Sequence, residues 1–538
     1  MKKTYIVTML SAVLALSMLT TACGDAKDSE QNASAETKSA DPILNETGYP
    51  IVKEPLKMQF FTGRNSGGAT NFNEAMIWKE YAKKTGIDVD FQLVNFENLS
   101  EKFNLAMSSG SYPDAFHTAR ITAADLTKYG SQGLFIPLND MIDKYAPNFK
   151  KLLDQYPSIK KGITMPDGKI YSVPLVYEPD FLAILISQKM WINKDWLTKL
   201  NMKMPATLDE YYEYLKAVKN TDLNGNGKKD EIGFGGVGMG SILEVLKGSL
   251  GLMNRGTNHR NVDVDPATGK LRFIPTDDRY KELLQYLNKL YSEGLIDKDI
   301  LTIKNPEFAA KGTQGIYGSL TTSFPETVMG QKNYEIPPPL KGPHGDQMFT
   351  NIQNQLVQPG AFVITDKNKH PEATLRWIDY FFSEEGQKTF FMGFKDVTYT
   401  ETPDGKFEYK DEILKNPSGM EQALLKYVTW PGGSYPGYVT KKYFKSVTEK
   451  MNAQHKALEP GLPKENWPAF TYTVEESEQM KAIWTDINTY IDQSTVKFVT
   501  GVTPFSEWDS YVSTIKKMKI DEYIKFYQAA ADRYKNTK

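Results

Sequence analysis

The sequence feature with the clearest chemistry is a loop between residues 222 and 231, in which oxygen-bearing side chains occur at alternating positions. Hard cations such as Ca²⁺ are bound by carboxylate, amide and backbone carbonyl oxygens, and glycine lets the surrounding loop turn sharply. Gly225 and Gly227 stand between these oxygen donors. The pattern therefore predicts a structural Ca²⁺ site. Its predicted ligands are Asp222, Asn224, Asn226, the backbone carbonyl of Lys228, Asp230 and Glu231.

The spacing of these donors matches the beginning of an EF-hand calcium loop, but its end differs. The twelfth position holds Gly233 instead of glutamate, so Glu231 is the predicted acidic ligand that closes the shell. The alternative interpretation is an Asn/Gly-rich turn held by hydrogen bonds from its own side chains. The Gly-x-Gly-x-x-Gly run at 233–238 follows this loop rather than a first strand, and that context argues against a nucleotide site.

Aromatic residues inside Gly/Pro-rich loops form the second chemical signal. Trp430 precedes Pro-Gly-Gly-Ser, Tyr317 and Phe324 bracket a Gly/Ser/Thr-rich stretch, and Tyr177 precedes Glu-Pro-Asp. A loop that cannot bury a ring tends to present it to a ligand, and flat rings offer apolar faces to the C–H faces of sugars. These four residues are therefore predicted sugar contacts. The alternative is that the rings close over the hydrophobic core.

The usual signatures of catalysis are missing from the sequence. There is no Gly-x-Ser-x-Gly elbow, His-Glu-x-x-His helix or Walker lysine, and the histidines are scattered without metal spacing. Acidic neighbours such as Glu475 and Glu476 follow Thr473 as helix caps, and sequence neighbours cannot flank a glycosidic bond from two sides. The formal charge of -2 argues against a nucleic-acid partner. We predict no catalytic residue.

Residues 1–22 are typical of a secretory signal, and Cys23 follows directly. Lys2 and Lys3 precede an apolar run that is too short to span a membrane comfortably and that ends in small residues. Cys23 is the single cysteine of the chain, which suits acylation at a signal cleavage point. We predict a lipid anchor at the cell membrane, with residues 23–49 as a disordered tether. The alternative is ordinary cleavage that leaves a spare thiol.

The elements that must position these residues begin after the tether. Residues 56–60 alternate as in a strand, residues 72–84 carry apolar side chains at helical spacing, and alternation resumes at Val89. A strand–helix–strand unit requires parallel strands and a right-handed crossover, which predicts an α/β fold. Ligands of such sheets bind at the carboxyl ends of the strands, where segments 61–68 and 113–120 fall.

Five segments together carry a family resemblance. They are Trp78-Lys-Glu-Tyr-Ala-Lys-Lys-Thr-Gly, Ser111-Tyr-Pro-Asp-Ala-Phe, Gly133-Leu-Phe-Ile-Pro-Leu, Asp167-Gly-Lys-Ile-Tyr and Lys194-Asp-Trp-Leu. With the cysteine after the signal, they resemble the extracellular solute-binding family one, the substrate-binding lipoproteins of bacterial ABC importers. The length and the Asp-x-Asn-x-Asn-Gly-Lys loop look most like the large binding proteins for alginate, pectin-type or other complex oligosaccharides.

The resemblance implies a two-lobe, type II periplasmic-binding-protein-like α/β fold with a hinge. The first implied lobe comprises residues 50–174 and 356–398, and the second comprises residues 175–355 and 399–538. Such proteins close over a ligand and deliver it to two ABC permease subunits.

The resemblance also ranks the candidate contacts, because the family binds its ligand with rings from cleft loops. Trp430 and Tyr317 are the best candidates. Arg64 and Arg120 are implied as carboxylate ligands if the sugar is acidic.

The function expected from these features is a monomeric, non-catalytic oligosaccharide receptor that is lipid-anchored on the extracellular face of the cell membrane, or periplasmic in a cell with an outer membrane. The alternatives are a secreted carbohydrate-active enzyme, such as a lyase or hydrolase, and a receptor for peptides or a partner of a sensor kinase.

Overall fold

The computed structural model describes residues 41–403, 405, 407–429, 435–443 and 451–537. Residue contacts divide the chain into two units, Met1–Pro42 and Ile43–Lys538, and the second unit contains every element described below. The predicted signal peptide, Cys23 and Trp430 lie outside the described residues.

The strands, in chain order, are β1 Leu56–Arg64, β2 Ile87–Asn95, β3 Ala115–Ile121, β4 Val173–Tyr177, β5 Lys189–Asn193, β6 Ile232–Gly235, β7 Val262–Val264, β8 Leu271–Phe273, β9 Tyr317–Thr322, β10 Tyr334–Glu335, β11 Leu356–Ile364, β12 Tyr399–Glu401, β13 Phe407–Tyr409 and β14 Gly437–Val439. The α-helices are α1 Met76–Thr85, α2 Leu99–Ser109, α3 Ala123–Ser131, α4 Asn139–Tyr145, α5 Pro147–Gln155, α6 Pro157–Ile163, α7 Leu182–Leu185, α8 Lys194–Lys199, α9 Leu208–Lys219, α10 Gly240–Leu246, α11 Asp278–Ser292, α12 Asn305–Thr313, α13 Pro325–Met329, α14 Pro371–Asp379, α15 Glu384–Met392, α16 Asp411–Leu414, α17 Met420–Leu424, α18 Val474–Val499, α19 Trp508–Lys517 and α20 Ile520–Asn536.

The amino-terminal strand–helix–strand prediction is confirmed. Strands β1 and β2 pair in parallel from Leu56↔Ile87 to Arg64↔Asn95, and α1 forms the crossover between them. The apolar face of α1 is buried, and the helix ends at Gly86, whose φ of 75° places it in the left-handed region that favours glycine. The polar–apolar alternation in the sequence of β1 and β2 therefore indicates which of their side chains face the core.

The first sheet has six strands in the order β14-β4-β11-β3-β1-β2. Strand β11 is antiparallel to both of its neighbours, whereas β1 pairs in parallel with β2 and β3, and β14 pairs in parallel with β4. The carboxyl ends of β1, β2, β3, β4 and β14 therefore lie along one edge, together with the amino end of β11. We call this the carboxyl edge of the first sheet.

The second sheet has the order β10-β5-β9-β6. Strand β9 is parallel to β6 and antiparallel to β5, so the carboxyl ends of β6 and β9 share an edge with the amino end of β5. Residues 178–188 run from the carboxyl end of β4 to the amino end of β5. The carboxyl edges of the two sheets are therefore directly connected, as two α/β lobes that share an interlobe cleft require.

A second crossing segment runs beside the first. The backbone N–H of Gln353 donates to Leu185 O at 3.1 Å, and its side-chain amide donates to Ile184 O at 3.0 Å. Two residues later, Gln355 O accepts from the N–H of Tyr177 at 2.9 Å before the chain enters β11. The hydrogen bonds tie the two crossings into one connection between the lobes.

Three predicted boundaries need correction. Strand β14 falls in the range predicted for the second lobe but pairs with β4 in the first sheet. Strand β4 extends through residue 177, beyond the predicted end of the first-lobe segment at 174. Leu44 is buried and bridges to Val52, so packing begins inside the predicted tether.

The predicted helix start at Thr473 is confirmed. Thr473 caps α18, and Glu476 reaches back to the Thr473 N–H at 2.9 Å, which completes a capping box. The Glu476 carboxylate therefore stabilises the start of α18. Across the described ranges, every helix is too short or too polar to cross a membrane.

Candidate functional site

A cavity of about 700 Å³ lies at the carboxyl edge of the second sheet, where the crossing segments meet it. A volume of this size is within the range of ligand sites for small molecules. Neutral hydrogen-bonding side chains dominate its wall: Ser187, Gln188, Ser241, Thr257, Asn305, Thr321, Thr322, Ser323, Asn351 and Gln353. Glu244 and Arg260 are the charged residues among its described lining. The wall therefore suits an uncharged ligand rich in hydroxyl groups.

Strand ends and crossing segments position this wall. Strand β9 places Thr321 and Thr322 at its carboxyl end, and the chain after β6 enters α10 along the cavity. Gly235 in β6 allows the ring of Tyr317 to approach, because a Cβ at that position would lie 2.4 Å from the ring. Gly235 of the run at 233–238 thus serves close packing between β6 and β9.

Thr321 lines this cavity and carries a buried hydroxyl for which the structure shows no partner. The residue is 5% exposed, and its Oγ1 makes no hydrogen bond. A buried polar group without a partner costs free energy, and a bound hydroxyl removes that cost. Thr321 is therefore a ligand-binding candidate that the sequence pattern did not single out.

At the carboxyl edge of the first sheet, Arg120 forms a platform with Phe96. Its guanidinium carbon lies 3.5 Å from the centroid of the Phe96 ring. Thr118 and Arg120 have φ angles of 53° and 52°, and such left-handed backbone in residues other than glycine concentrates at functional sites. Burial lowers the pKa of Arg120, and the nearby Tyr177 opposes that shift. The structure therefore brings two predicted contacts, Arg120 and Tyr177, close together.

Arg64 has a different environment at the same edge. Its Nη1 lies 3.3 Å from each of three backbone carbonyl oxygens in the following loop, those of Asn65, Gly68 and Ala69. These hydrogen bonds tie Arg64 to the loop after β1 and engage Nη1 of its guanidinium. The role of Arg64 as a carboxylate ligand stays a prediction.

The prediction that Tyr317 contacts sugar is wrong. Tyr317 begins β9 rather than a loop, and its side chain is 0% exposed. Its hydroxyl donates to Asp297 at 2.9 Å, and its ring lies behind Phe308, which itself lines the cavity. The glycines around it permit close strand packing, so the alternative of a core ring holds here.

Phe324 lines a separate cavity of about 310 Å³, together with Trp191. The Nζ of buried Lys189 lies 3.7 Å from the centroid of the Phe324 ring and donates to Ile186 O at 3.1 Å. Burial lowers the pKa of Lys189 to about 7. Phe324 thus covers a buried amine that is bonded to the crossing segment, and its contact with sugar stays a prediction.

The predicted calcium loop is folded around its own oxygen atoms. Asp222 accepts from the N–H groups of Gly225 at 2.8 Å and Gly227 at 2.9 Å, and both glycines have φ of 78°. Glu231 is buried, and its Oε1 accepts from the N–H groups of Leu223 and Asn224 at 2.5 and 2.9 Å.

The second carboxylate oxygen of Glu231, Oε2, is buried and has no hydrogen-bond partner. A buried carboxylate oxygen without a hydrogen-bond partner, in a loop rich in amide and carboxylate oxygens, fits a cation ligand. Within the described residues, no three His, Cys, Asp or Glu side chains cluster as a metal site. In this loop, however, asparagine and backbone oxygens supply a large part of the donor set.

Comparison with known proteins identifies the family. The model described as "Bacterial extracellular solute-binding protein" matches residues 69–388. The fructooligosaccharide ABC transporter substrate-binding protein FusA of Streptococcus pneumoniae is 31% identical over 93% of this chain and 94% of its own length. Two Bacillus subtilis proteins also match: lipoprotein LipO, 29% identical over 65% of this chain and 68% of its own, and polygalacturonan/rhamnogalacturonan-binding protein YtcQ, 25% identical over 84% and 88%.

Solved structures agree with this assignment. FusA of S. pneumoniae in complex with kestose superposes with a TM-score of 0.74 at 29% identity, over 90% of this chain and 100% of that one. A FusA EF-hand mutant in complex with fructo-nystose gives 0.72 at 27% identity, with the same coverage. The chain therefore belongs to the bacterial extracellular solute-binding protein family and has its two-lobe, type II periplasmic-binding-protein-like fold.

Proposed function

We propose that the protein is the substrate-binding component of an ABC importer and binds an oligosaccharide in the cleft between its lobes. The observation that carries the proposal is the 700 Å³ cavity at the carboxyl edge of the second sheet, where neutral hydrogen-bonding side chains that match hydroxyl groups make up most of the wall. The named activity of FusA, a fructooligosaccharide-binding importer component that aligns along 93% of this chain, supports the same ligand class.

The mechanism follows from the lobe connection. A sugar that contacts the cavity wall of the second lobe and the Arg120–Phe96 platform of the first gains interactions in the closed form that the open form lacks. Ligand binding then shifts the population toward the closed form, which the permease subunits recognise. The crossing segments line the cavity at Leu185 and Gln353, and we expect the chain to bend there during closure.

Binding without turnover is part of the proposal. Glycoside hydrolysis ordinarily uses two carboxyl groups about 5–10 Å apart on opposite sides of the bond. Glu244 is the carboxylate among the described lining residues of the cavity. The second acid that such an enzyme needs is not part of that lining.

We further propose two accessory features. Cys23 carries a lipid anchor that holds the protein on the extracellular face of the membrane, because it is the single cysteine and directly follows the signal. The 222–231 loop binds a structural Ca²⁺ ion through the predicted oxygen atoms, and the unpaired Oε2 of Glu231 supports this assignment.

Isothermal titration of residues 24–538 with a panel of neutral and uronic oligosaccharides tests the proposed function. We expect saturable binding to at least one oligosaccharide and recovery of that sugar uncleaved. Cleavage of the bound sugar would favour the enzyme alternative, and a panel without binding would contradict the proposal.

A further inference from the structure

The cavity wall contains one ion pair whose lysine is fully buried. Lys247 directly follows α10, and its side chain is 2% exposed, whereas that of Glu244 is 22% exposed. The Nζ of Lys247 donates to Glu244 Oε1 at 2.9 Å and to the backbone oxygen of Arg260 at 2.9 Å. Two of its three protons are therefore accounted for by acceptors at the rim of the cavity.

Glu244 is the ion-pair partner of the buried Lys247 side chain. A buried ammonium group requires a counter-charge, and Glu244 is the carboxylate bonded to it among the described residues. Because Glu244 covers Lys247, the amine cannot reach a ligand in the cavity. The carboxylate, in contrast, lines the cavity and turns Oε1 towards the lysine, which leaves Oε2 for a ligand.

An ionised carboxylate accepts hydrogen bonds and donates none. The hydroxyl groups of a neutral sugar are donors and match it, and a carboxylate that is held in one rotamer binds them without further ordering. A uronic acid at the same position places a carboxylate next to Glu244 Oε2, where two acceptors meet without a proton between them, and Lys247 offsets only part of the repulsion.

The positively charged side chains near the cavity do not reverse its preference for a neutral sugar over an acidic one. Arg260 is the cation among the described lining residues, and it is exposed. Across the cleft, Arg64 binds the carbonyl groups of its own loop, and Arg120 is stacked on Phe96. A polyuronate carries one carboxylate on every sugar unit. Arg260, Arg64 and Arg120 are too scattered to pair with successive carboxylates along such a chain.

We propose, on the basis of the oligosaccharide-binding function proposed above, that Glu244 binds sugar hydroxyls and that the Glu244–Lys247 pair restricts the site to neutral oligosaccharides. Glu244 is thus the residue that determines specificity, and Lys247 positions it. An acidic ligand, such as an oligogalacturonate, is excluded by charge rather than by size.

The test compares kestose, a neutral trisaccharide, with trigalacturonate of the same length by isothermal titration of residues 24–538. We expect wild-type protein to bind the neutral sugar and to bind the uronate at least about 100-fold more weakly. Glu244→Gln should weaken neutral-sugar binding by about tenfold or more, because a charge-assisted hydrogen bond is lost. It should also reduce the difference in affinity between kestose and trigalacturonate.

Two further variants keep the result interpretable. Glu244→Gln leaves a buried lysine without its counter-charge, so the double variant Glu244→Gln/Lys247→Met removes both charges and preserves an apolar core. Glu213→Gln is the matched control, since Glu213 forms the same i,i+3 pair with Lys216 on an exposed helix face. The double variant should bind kestose as weakly as Glu244→Gln, and the control should bind like wild type.

Three results would overturn the proposal, and they differ from one another. A folded double variant with wild-type affinity for kestose would show that Glu244 does not contact the sugar. Wild-type protein that binds the uronate but not kestose would retain the oligosaccharide function and refute neutral selectivity. Wild-type protein that binds neither sugar, nor any other oligosaccharide of the panel, would refute the function itself and this proposal with it.

Discussion

Removal of Ca²⁺ should lower the melting temperature of the protein through the 222–231 loop. With free Ca²⁺ at 10 to 100 times its dissociation constant, binding stabilises the folded state by about 1.4–2.7 kcal/mol. The compact unit Ile43–Lys538 comprises about 500 residues, and its unfolding entropy is then roughly 1 kcal/mol per kelvin. The expected shift is about 1–3 °C if the unit melts as a whole, and about one and a half times that if the second lobe melts separately.

Differential scanning calorimetry in EGTA, in CaCl₂ and in MgCl₂ measures this shift. Glu231→Gln should abolish it, because the amide replaces the buried anionic oxygen while its carbonyl can still accept from Leu223 and Asn224. Asp265→Asn is the matched control, since Asp265 accepts similar bonds in an ordinary turn. Equal melting temperatures in EGTA and CaCl₂ would refute the calcium assignment and leave the turn interpretation.

Three further predictions follow from the described contacts. Thr321→Val should weaken sugar binding by roughly two- to tenfold without loss of stability, because the removed hydroxyl is buried and unpartnered; titration together with melting checks both. Tyr317→Phe should lower stability by about 1.5–3 kcal/mol, since a bond to a buried carboxylate is lost, while titration should show unchanged affinity. Burial lowers the pKa of His117 to about 3 and of His259 and His455 to about 4, so the unfolded state takes up their protons first as pH falls below 6.5. Between pH 7.5 and 5.5 this costs about 4 kcal/mol in denaturant melts. Asp379, whose pKa burial raises to about 6, offsets about 1 kcal/mol of it, and Lys189, whose pKa burial lowers to about 7, adds about 1 kcal/mol; equal stability at both pH values would contradict this reasoning.

The periodic and capping features of the fold were predictable from sequence. The alternation in β1 and β2 and the apolar face of α1 have periods that physical chemistry ties to one secondary structure each. The cap at Thr473 likewise depends on two residues at fixed spacing. These patterns depend on residues that are close in sequence, and the secondary structure that they predict is retained in the tertiary structure.

The cavity was not predictable in the same way. Its wall combines crossing segments, a helix and a strand end from residues 185 to 353, and its Ser, Thr, Asn and Gln residues are common everywhere. Glu244 and Lys247 have the spacing of an ordinary surface ion pair, and only tertiary packing buries the lysine. The prediction that Tyr317 contacts sugar was wrong because a sequence pattern had two possible causes. Neighbouring glycines indicate a loop in the sequence, but in the fold they allow strands to pack closely.

The most direct test of the central claim is a titration of residues 24–538 with kestose, followed by chromatography of the sugar recovered from the complex. The claim of a non-catalytic oligosaccharide receptor predicts saturable, one-site binding and a recovered trisaccharide of unchanged length. Release of shorter sugars would contradict it by showing catalysis, and absence of binding to kestose and to every other oligosaccharide tested would contradict it by showing that the cavity serves another ligand.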